Sequence, residues 1–170
     1  MKNPGLVLAS QSPRRKELLA ILGIEFAARV AREKGMEVAS RVSQSVVLSA
    51  DTVVTIDGEI LGKPVDEADA VRMLKKLSGR DHWVYTGVTI LNQVKNEILE
   101  GTDRTRVWFN LLDEEQILDY VRRENVLDKA GAYGIQGYAG VYIPKIEGNY
   151  FNVMGLPLPL VYELLCRTLS

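Results

Sequence analysis

Residues 83–110, WVYTGVTILNQVKNEILEGTDRTRVWFN, decide the fold. Trp83 to Leu91 and Ile98 to Asn110 are rich in β-branched and aromatic residues, which suit a pleated, half-buried surface, and polar Asn92 to Glu97 lies between them. The two runs read as paired antiparallel strands. Upstream, Ser45 to Ala50 is another apolar run that continues past Asp51 into Val53-Val54-Thr55-Ile56, and Asp57-Gly58 reads as a hairpin turn. Asp66 then precedes a helical pattern that puts Ala70, Met73, Leu74 and Leu77 on one face, closed by Ser78-Gly79. Downstream, Asp113 and Gln116 make a capping-box start to a helix carrying Ile117, Leu118, Tyr120 and Val121. Glu124 to Gly134 reads as a loop. Strands are expected at Gly137 to Ile146 and Tyr150 to Val153, with Gly148-Asn149 as the turn, before a last helix from about Pro159. At the other end, Leu6 to Ala9 reads as a strand, followed by a tight turn, a helix over Arg14 to Leu22 and a weaker helical stretch over 31–42. Strands and helices in both orders argue for a mixed α/β (α+β) architecture around a central sheet.

A chain of 170 residues fits one domain, or two small lobes sharing a cleft. Its 21 basic and 22 acidic residues leave no positive excess with which to hold a nucleic acid backbone, so a polynucleotide partner is not expected. Met1 to Ala9 is too short for a signal sequence or a membrane span, which reads as a cytoplasmic protein with no membrane partner. The lone Cys166 lies in an apolar run and reads as packing. His82 is the only histidine, so a multi-histidine metal site is ruled out, and an exposed or capping role is expected for it. Trp83 and Trp108 read as core or sheet-surface packing.

Three stretches carry chemistry. In Ala9-Ser10-Gln11-Ser12-Pro13-Arg14-Arg15, Ser12 suits an N-cap and Pro13 the first helical position. Arg14 and Arg15 in a first turn oppose the helix dipole, so either an anion such as phosphate sits there or both side chains point into solvent. In Ser49-Ala50-Asp51-Thr52, a carboxylate interrupts an apolar β-run. It is hydrogen-bonded at a bulge, or paired with a lysine, or facing a cleft where it can hold a metal or activate water. Lys63 in Gly62-Lys63-Pro64 could be its neighbour, though an exposed turn lysine is the simpler reading. In Asp128-Lys129-Ala130-Gly131-Ala132-Tyr133-Gly134-Ile135-Gln136-Gly137, three glycines let the backbone approach a ligand closely; neither the P-loop nor the dinucleotide pattern is matched. Gly148-Asn149-Tyr150 and Val153 to Leu158 read as scaffold.

The ordered set of these motifs, with Leu77-Ser78-Gly79 and Gly155-Leu156-Pro157-Leu158, resembles the Maf family from end to end. The resemblance implies a single Maf-like domain over residues 1–170, with a central mixed sheet, helices flanking it and two lobes around a cleft. It also implies kinship of fold with the inosine triphosphate pyrophosphatases and a metal-dependent cleavage of nucleoside triphosphates between the α and β phosphates. Arg15, Thr52 and Gln136 are similar to the branch acting on dTTP and UTP, and differ from the sister branch acting on 7-methylguanosine triphosphate.

On this reading Ser10, Ser12, Arg14 and Arg15 hold the phosphates, with Lys34 and Lys63 neutralising the charge that builds on the bridging and leaving oxygens. Asp51 binds a divalent cation, Mg²⁺ or Mn²⁺, or orients the attacking water. Thr52 and Gln136 contact the substrate. The amide of Gln136 offers a donor and an acceptor to the O4 and N3–H edge of uracil or thymine. The family has an acidic segment and a further helical stretch before the lysine that Lys34 resembles, whereas here Phe26 runs almost directly into Ala31. A nucleotide-binding regulator without turnover, linked to septum formation, is therefore the rival reading, and a homodimer is left open.

Overall fold

The computed structural model describes residues 27–169. The expected N-terminal strand and helix, and with them the Ser10 to Arg15 turn, lie outside these residues. The described chain is a mixed α+β fold built on a five-stranded sheet. A helix over 27–39 (α1) leads into β1 (Val46–Ile56), which turns at Asp57-Gly58 into the short β2 (Glu59–Leu61). Then come α2 (Glu67–Leu77), β3 (Asp81–Asn92), β4 (Glu97–Trp108) and α3 (Glu114–Arg123). Single 3-10 turns at Ala130–Ala132 and Tyr138–Tyr142 precede β5 (Lys145–Glu147), α4 (Tyr150–Val153) and α5 (Leu158–Leu169). The strand order is β2-β1-β3-β4-β5, and each pairing among the described residues is antiparallel.

Local chemistry explains most of these boundaries. Asp66 accepts from the Asp69 amide and caps α2, while Asp113 and Gln116 form the reciprocal capping box of α3. The long β3–β4 hairpin pairs Asn92 with Glu97 and runs to Asp81 opposite Trp108. Side chains alternate across the sheet, so one face carries Thr52, Val54, Ile56, Val84, Thr86 and Val107, and the other carries Ser49, Asp51, Val53, Tyr85 and Gly87. Val54, Ile56, Val84 and Val107 pack into the main core with α2 and α3, and farther along the same face Val88 and Ile90 meet Val161 and Leu164 of α5. The opposite face is crossed by α1.

The approach of α1 is set by small residues. A Cβ built at Gly87 would lie 2.4–2.5 Å from backbone atoms of Ala27 and Ala28, and one at Gly35 would lie 2.6 Å from Ser49 Oγ. Ala27, Ala31 and Gly35, four residues apart, form the stripe that lets the helix settle on the sheet. Ser49 Oγ donates to the Ala31 carbonyl at 2.6 Å, and Gln93 Nε2 donates to the Ala39 carbonyl at 2.8 Å. Both bonds fix the helix along its length.

The structure corrects several expectations. Tyr150–Val153 is a helical turn rather than a strand: Asn149 caps it by accepting from the Phe151 amide. The buried Asn152 then donates to the Val84 carbonyl and to Thr105 Oγ1. Of Gly137 to Ile146, expected as a strand, half is the 3-10 turn Tyr138–Tyr142, and only Lys145–Glu147 pairs with β4. His82 is buried, not exposed or capping, and Cys166 is exposed rather than packed. Leu118 lies on the outer side of α3, because the helix turns Ile117, Tyr120 and Val121 inward. Trp83 and Trp108 do pack on the sheet surface, where the Arg104 and Arg106 guanidinium groups lie over their rings.

Candidate active site

Asp51 lies in the middle of β1, opposite Gly87. Its Oδ1 is 2.5 Å from Lys34 Nζ on α1, with the carboxylate side chain 17% exposed and the lysine side chain 54% exposed. The carboxylate in the apolar run is therefore paired with a lysine, as one of the open alternatives had it, but the lysine is Lys34 and not Lys63. Gly87 makes the pair geometrically attainable, since the missing side chain opposite Asp51 lets α1 drop onto the sheet.

β2 pairs only with Val54–Ile56, so among the described residues the outer edge of β1 from Val46 to Val53 carries no strand. Leu61 stands opposite Val54, which brings the Gly62-Lys63-Pro64 turn to this outer side, three positions in register from Asp51. Lys63 is exposed there. The glycine-rich loop is tied to the same turn, because the Gly131 amide donates to the Gly62 carbonyl at 3.0 Å. Gly131 holds a φ of +69° and lies against Val54, a backbone conformation and a closeness that favour glycine. The Asp128 carboxyl is held below the usual range first by its hydrogen bond from Lys129, with a small contribution from Lys63. Gln136 projects from this loop as an exposed side chain.

Thr52 faces the other side of β1 from Asp51. Its Oγ1 is 2.9 Å from Thr86 Oγ1, and Thr86 in turn donates to the Asn152 carbonyl at 3.0 Å. A hydroxyl has one hydrogen. Thr86 gives its hydrogen to Asn152, so it accepts from Thr52, and the Thr52 hydroxyl turns only lone pairs to anything that approaches it. Gly155, with φ +100°, leaves open the space beside Thr52, as a Cβ there would lie 3.3 Å from the threonine oxygen.

The structure thus brings Lys34 and Asp51 into contact on one face, sets Thr52 on the other, and ties the Lys63 turn, through Gly131, to the start of the loop that carries Gln136. Ser10, Ser12, Arg14 and Arg15 lie outside the described residues. Thr86 and Asn152, which support Thr52, were missed by the sequence reading. The only trace of them was a polar residue in a strand and an asparagine after Gly148-Asn149.

Fold and cluster together describe an α+β domain in which a lysine and a carboxylate pair beside a strand edge that, among the described residues, carries no further strand. The chain belongs to the Maf family: the family profile, described as Maf-like protein, matches residues 24–168. It is similar to proteins named dTTP/UTP pyrophosphatase. That of Thermococcus gammatolerans is 46% identical over 177 positions, covering 94% of this chain and 94% of the relative. That of Geobacter sulfurreducens is 44% identical over 187 positions and 98% of each chain. A third, from Carboxydothermus hydrogenoformans, is 42% identical over 177 positions, covering 93% of this chain and 95% of the relative. These alignments are longer than the 170 residues available, so this chain lacks positions that the relatives have. Among the described residues no helix is long and apolar enough to cross a membrane.

Proposed function

We propose that this chain is a nucleoside triphosphate pyrophosphatase acting on dTTP and UTP. The observation that carries the reading is the near end-to-end likeness to relatives of that name, 46% identical over 94% of both chains in one case. In the reaction, water attacks the α-phosphorus, the bond to the α–β bridging oxygen breaks, and a nucleoside monophosphate, pyrophosphate and a proton result.

The chain's own residues divide the work. Lys34 and Lys63 draw the phosphates to the edge of β1, with Ser10, Ser12, Arg14 and Arg15 as further phosphate ligands, and the charges stabilise the leaving pyrophosphate. As Lys34 turns to the phosphates it releases Asp51, which then orients the water or binds a cation. A divalent cation fits one kind of site here. Asp51, the carboxylate set in the apolar run of β1, would hold Mg²⁺ or Mn²⁺ there, since a lone carboxylate suits an ion that keeps most of its waters. Such an ion supplies charge neutralisation on the phosphoryl oxygens. Gln136 reads the O4 and N3–H edge of the base. The working unit is a single domain with two lobes around the site, in the cytoplasm, free of nucleic acid and membrane, as a monomer or a homodimer.

A second reading rests on the missing positions: if they remove a catalytic acid, the chain binds the nucleotide without cleaving it. One experiment separates the two. Monophosphate and pyrophosphate are quantified for UTP, dTTP, CTP and 7-methylguanosine triphosphate, with and without Mg²⁺ or Mn²⁺, on the parent and on Gln136→Glu. Pyrophosphate release fastest from UTP and dTTP, and falling in the variant, is expected. Orthophosphate as the product, or binding with no turnover, overturns the proposal.

A further inference from the structure

Behind the Gln136 loop two buried polar side chains meet that the proposed chemistry does not use. His82, on β3, is 1% exposed, and Tyr133, in the loop, is 5% exposed. His82 Nε2 lies 2.7 Å from the Tyr133 hydroxyl, while Nδ1 has no partner. Phe109 closes the cluster, its ring centroid 4.9 Å from that of Tyr133 and 5.7 Å from that of His82. Burial pushes the His82 pKa down to about 3, so the imidazole is neutral near pH 7. A neutral imidazole and a phenol bring two hydrogens to one hydrogen bond, so one is left over whichever nitrogen carries the proton. A half-satisfied buried pair is worse for stability than an apolar pair of the same shape. Packing alone gives no reason for it.

What the pair does supply is direction. The loop around it has no strand ladder, and it turns through positive φ at both Gly131 and Ala132. The Gly134 amide reaches the Tyr120 hydroxyl only at 3.4 Å. Gln136 therefore stands between two firm attachments. On one side Tyr133 is bonded to His82 of β3; on the other, the Tyr138 amide donates to Glu124 Oε1 at 2.8 Å. We infer that His82 and Tyr133 are a positioning pair for base choice, holding the loop so that the Gln136 amide meets the pyrimidine edge. The inference rests on the reading that Gln136 contacts the base.

The test compares Tyr133→Phe, His82→Phe and His82→Gln with the parent and with Gln136→Glu, on UTP and CTP. Tyr133→Phe is expected to raise KM for UTP by about fivefold to tenfold, the effect of one ordinary hydrogen bond, with kcat nearly unchanged. The UTP to CTP ratio of kcat/KM should fall with it. His82→Gln keeps a polar partner for Tyr133 and should recover part of the loss seen in His82→Phe. A purely structural pair would lower the melting temperature and leave KM and the ratio alone, so a folded Tyr133→Phe with parental KM and ratio overturns the inference. Should Tyr133→Phe not fold, the same readings on His82→Gln against His82→Phe decide it. If Gln136→Glu shifts the ratio and the pair variants do not, only this inference fails. If Gln136→Glu leaves the ratio untouched, the assignment of Gln136 fails first.

Discussion

Lys34 Nζ lies 2.5 Å from Asp51 Oδ1, joining a helix to the middle of a strand 17 residues further on. The pair places a carboxylate and a half-exposed cation at one point on β1. Asp51→Asn keeps the shape and removes the charge, so turnover should fall by at least about a hundredfold while the thermal unfolding profile stays close to the parent's. Lys34→Met should lower kcat/KM by about tenfold to a hundredfold, the range of a charge-assisted contact. Steady-state kinetics on UTP, with circular dichroism to confirm folding, measures both. A folded Asp51→Asn protein with near-parental rate would remove Asp51 from the mechanism.

The seat of α1 gives a second expectation. A methyl at Gly87 meets backbone, not a side chain that could swing away, so Gly87→Ala must lift α1 from the sheet. Overpacking of this kind costs about 1–3 kcal/mol. Denaturant unfolding should show that loss, and activity should fall further than stability because Lys34 moves with the helix. Gly62→Ala is the control: nothing lies within 4 Å of its Cβ, and its stability should stay within about 0.5 kcal/mol of the parent.

The hydroxyl relay makes a prediction about polarity. Thr52 donates to Thr86 and so can only accept from a ligand, which suits an N–H or O–H of the nucleoside and not a phosphate oxygen. Thr52→Val should raise KM for UTP and leave inhibition by pyrophosphate unchanged, while Thr52→Ser behaves as the parent. Equal weakening of UTP and pyrophosphate would show that Thr52 meets the phosphates. Thr86→Val removes one hydrogen bond from the buried Asn152 carbonyl, which still accepts from the Gly155 amide, and should cost about 0.5–1.5 kcal/mol in unfolding free energy.

Acid should find His82 first. Its folded pKa of about 3 lies below the ordinary value of 6.5, so between those values the unfolded chain binds the extra proton. The stability tied to a neutral His82 is complete above pH 6.5 and drains away as pH falls toward 3, at about 1.4 kcal/mol per pH unit. Carboxylates such as Asp81, held low first by Arg106, contribute above their ordinary pKa near 4 and lose that contribution only below it. The window from pH 6.5 to 4.5 therefore belongs chiefly to His82, and His82→Phe should flatten the fall in unfolding free energy there. An equally steep fall in the variant would assign the slope to other groups.

Much of the fold was legible in the sequence because the signals were local. The caps at Asp66 and Asp113, the β-rich runs around the Asn92 to Glu97 turn, and the apolar face of α2 each declare themselves within a few residues. Tyr150–Val153 was misread because tyrosine, phenylalanine and valine favour strands, whereas its conformation is imposed by bonds from Asn152 to β3 and β4, 68 and 47 positions away. His82 sat beside charged Asp81 and gave no local sign of burial, which arises from Tyr133 and Phe109. At the site, the peculiarity of Asp51 was plain from its apolar neighbours. Its partner was not, since only the packing of α1 on Gly87 selects Lys34 over Lys63.

The single hydrogen bond from the Gly131 amide to the Gly62 carbonyl gives the site its mechanical character. It ties the lysine turn to the start of the loop that carries Gln136, so that a shift of one is passed to the other. With Gln136 and Lys63 in the roles proposed above, a substitution at Gln136 should then be felt at Lys63, and rate and selectivity should not behave as independent dials.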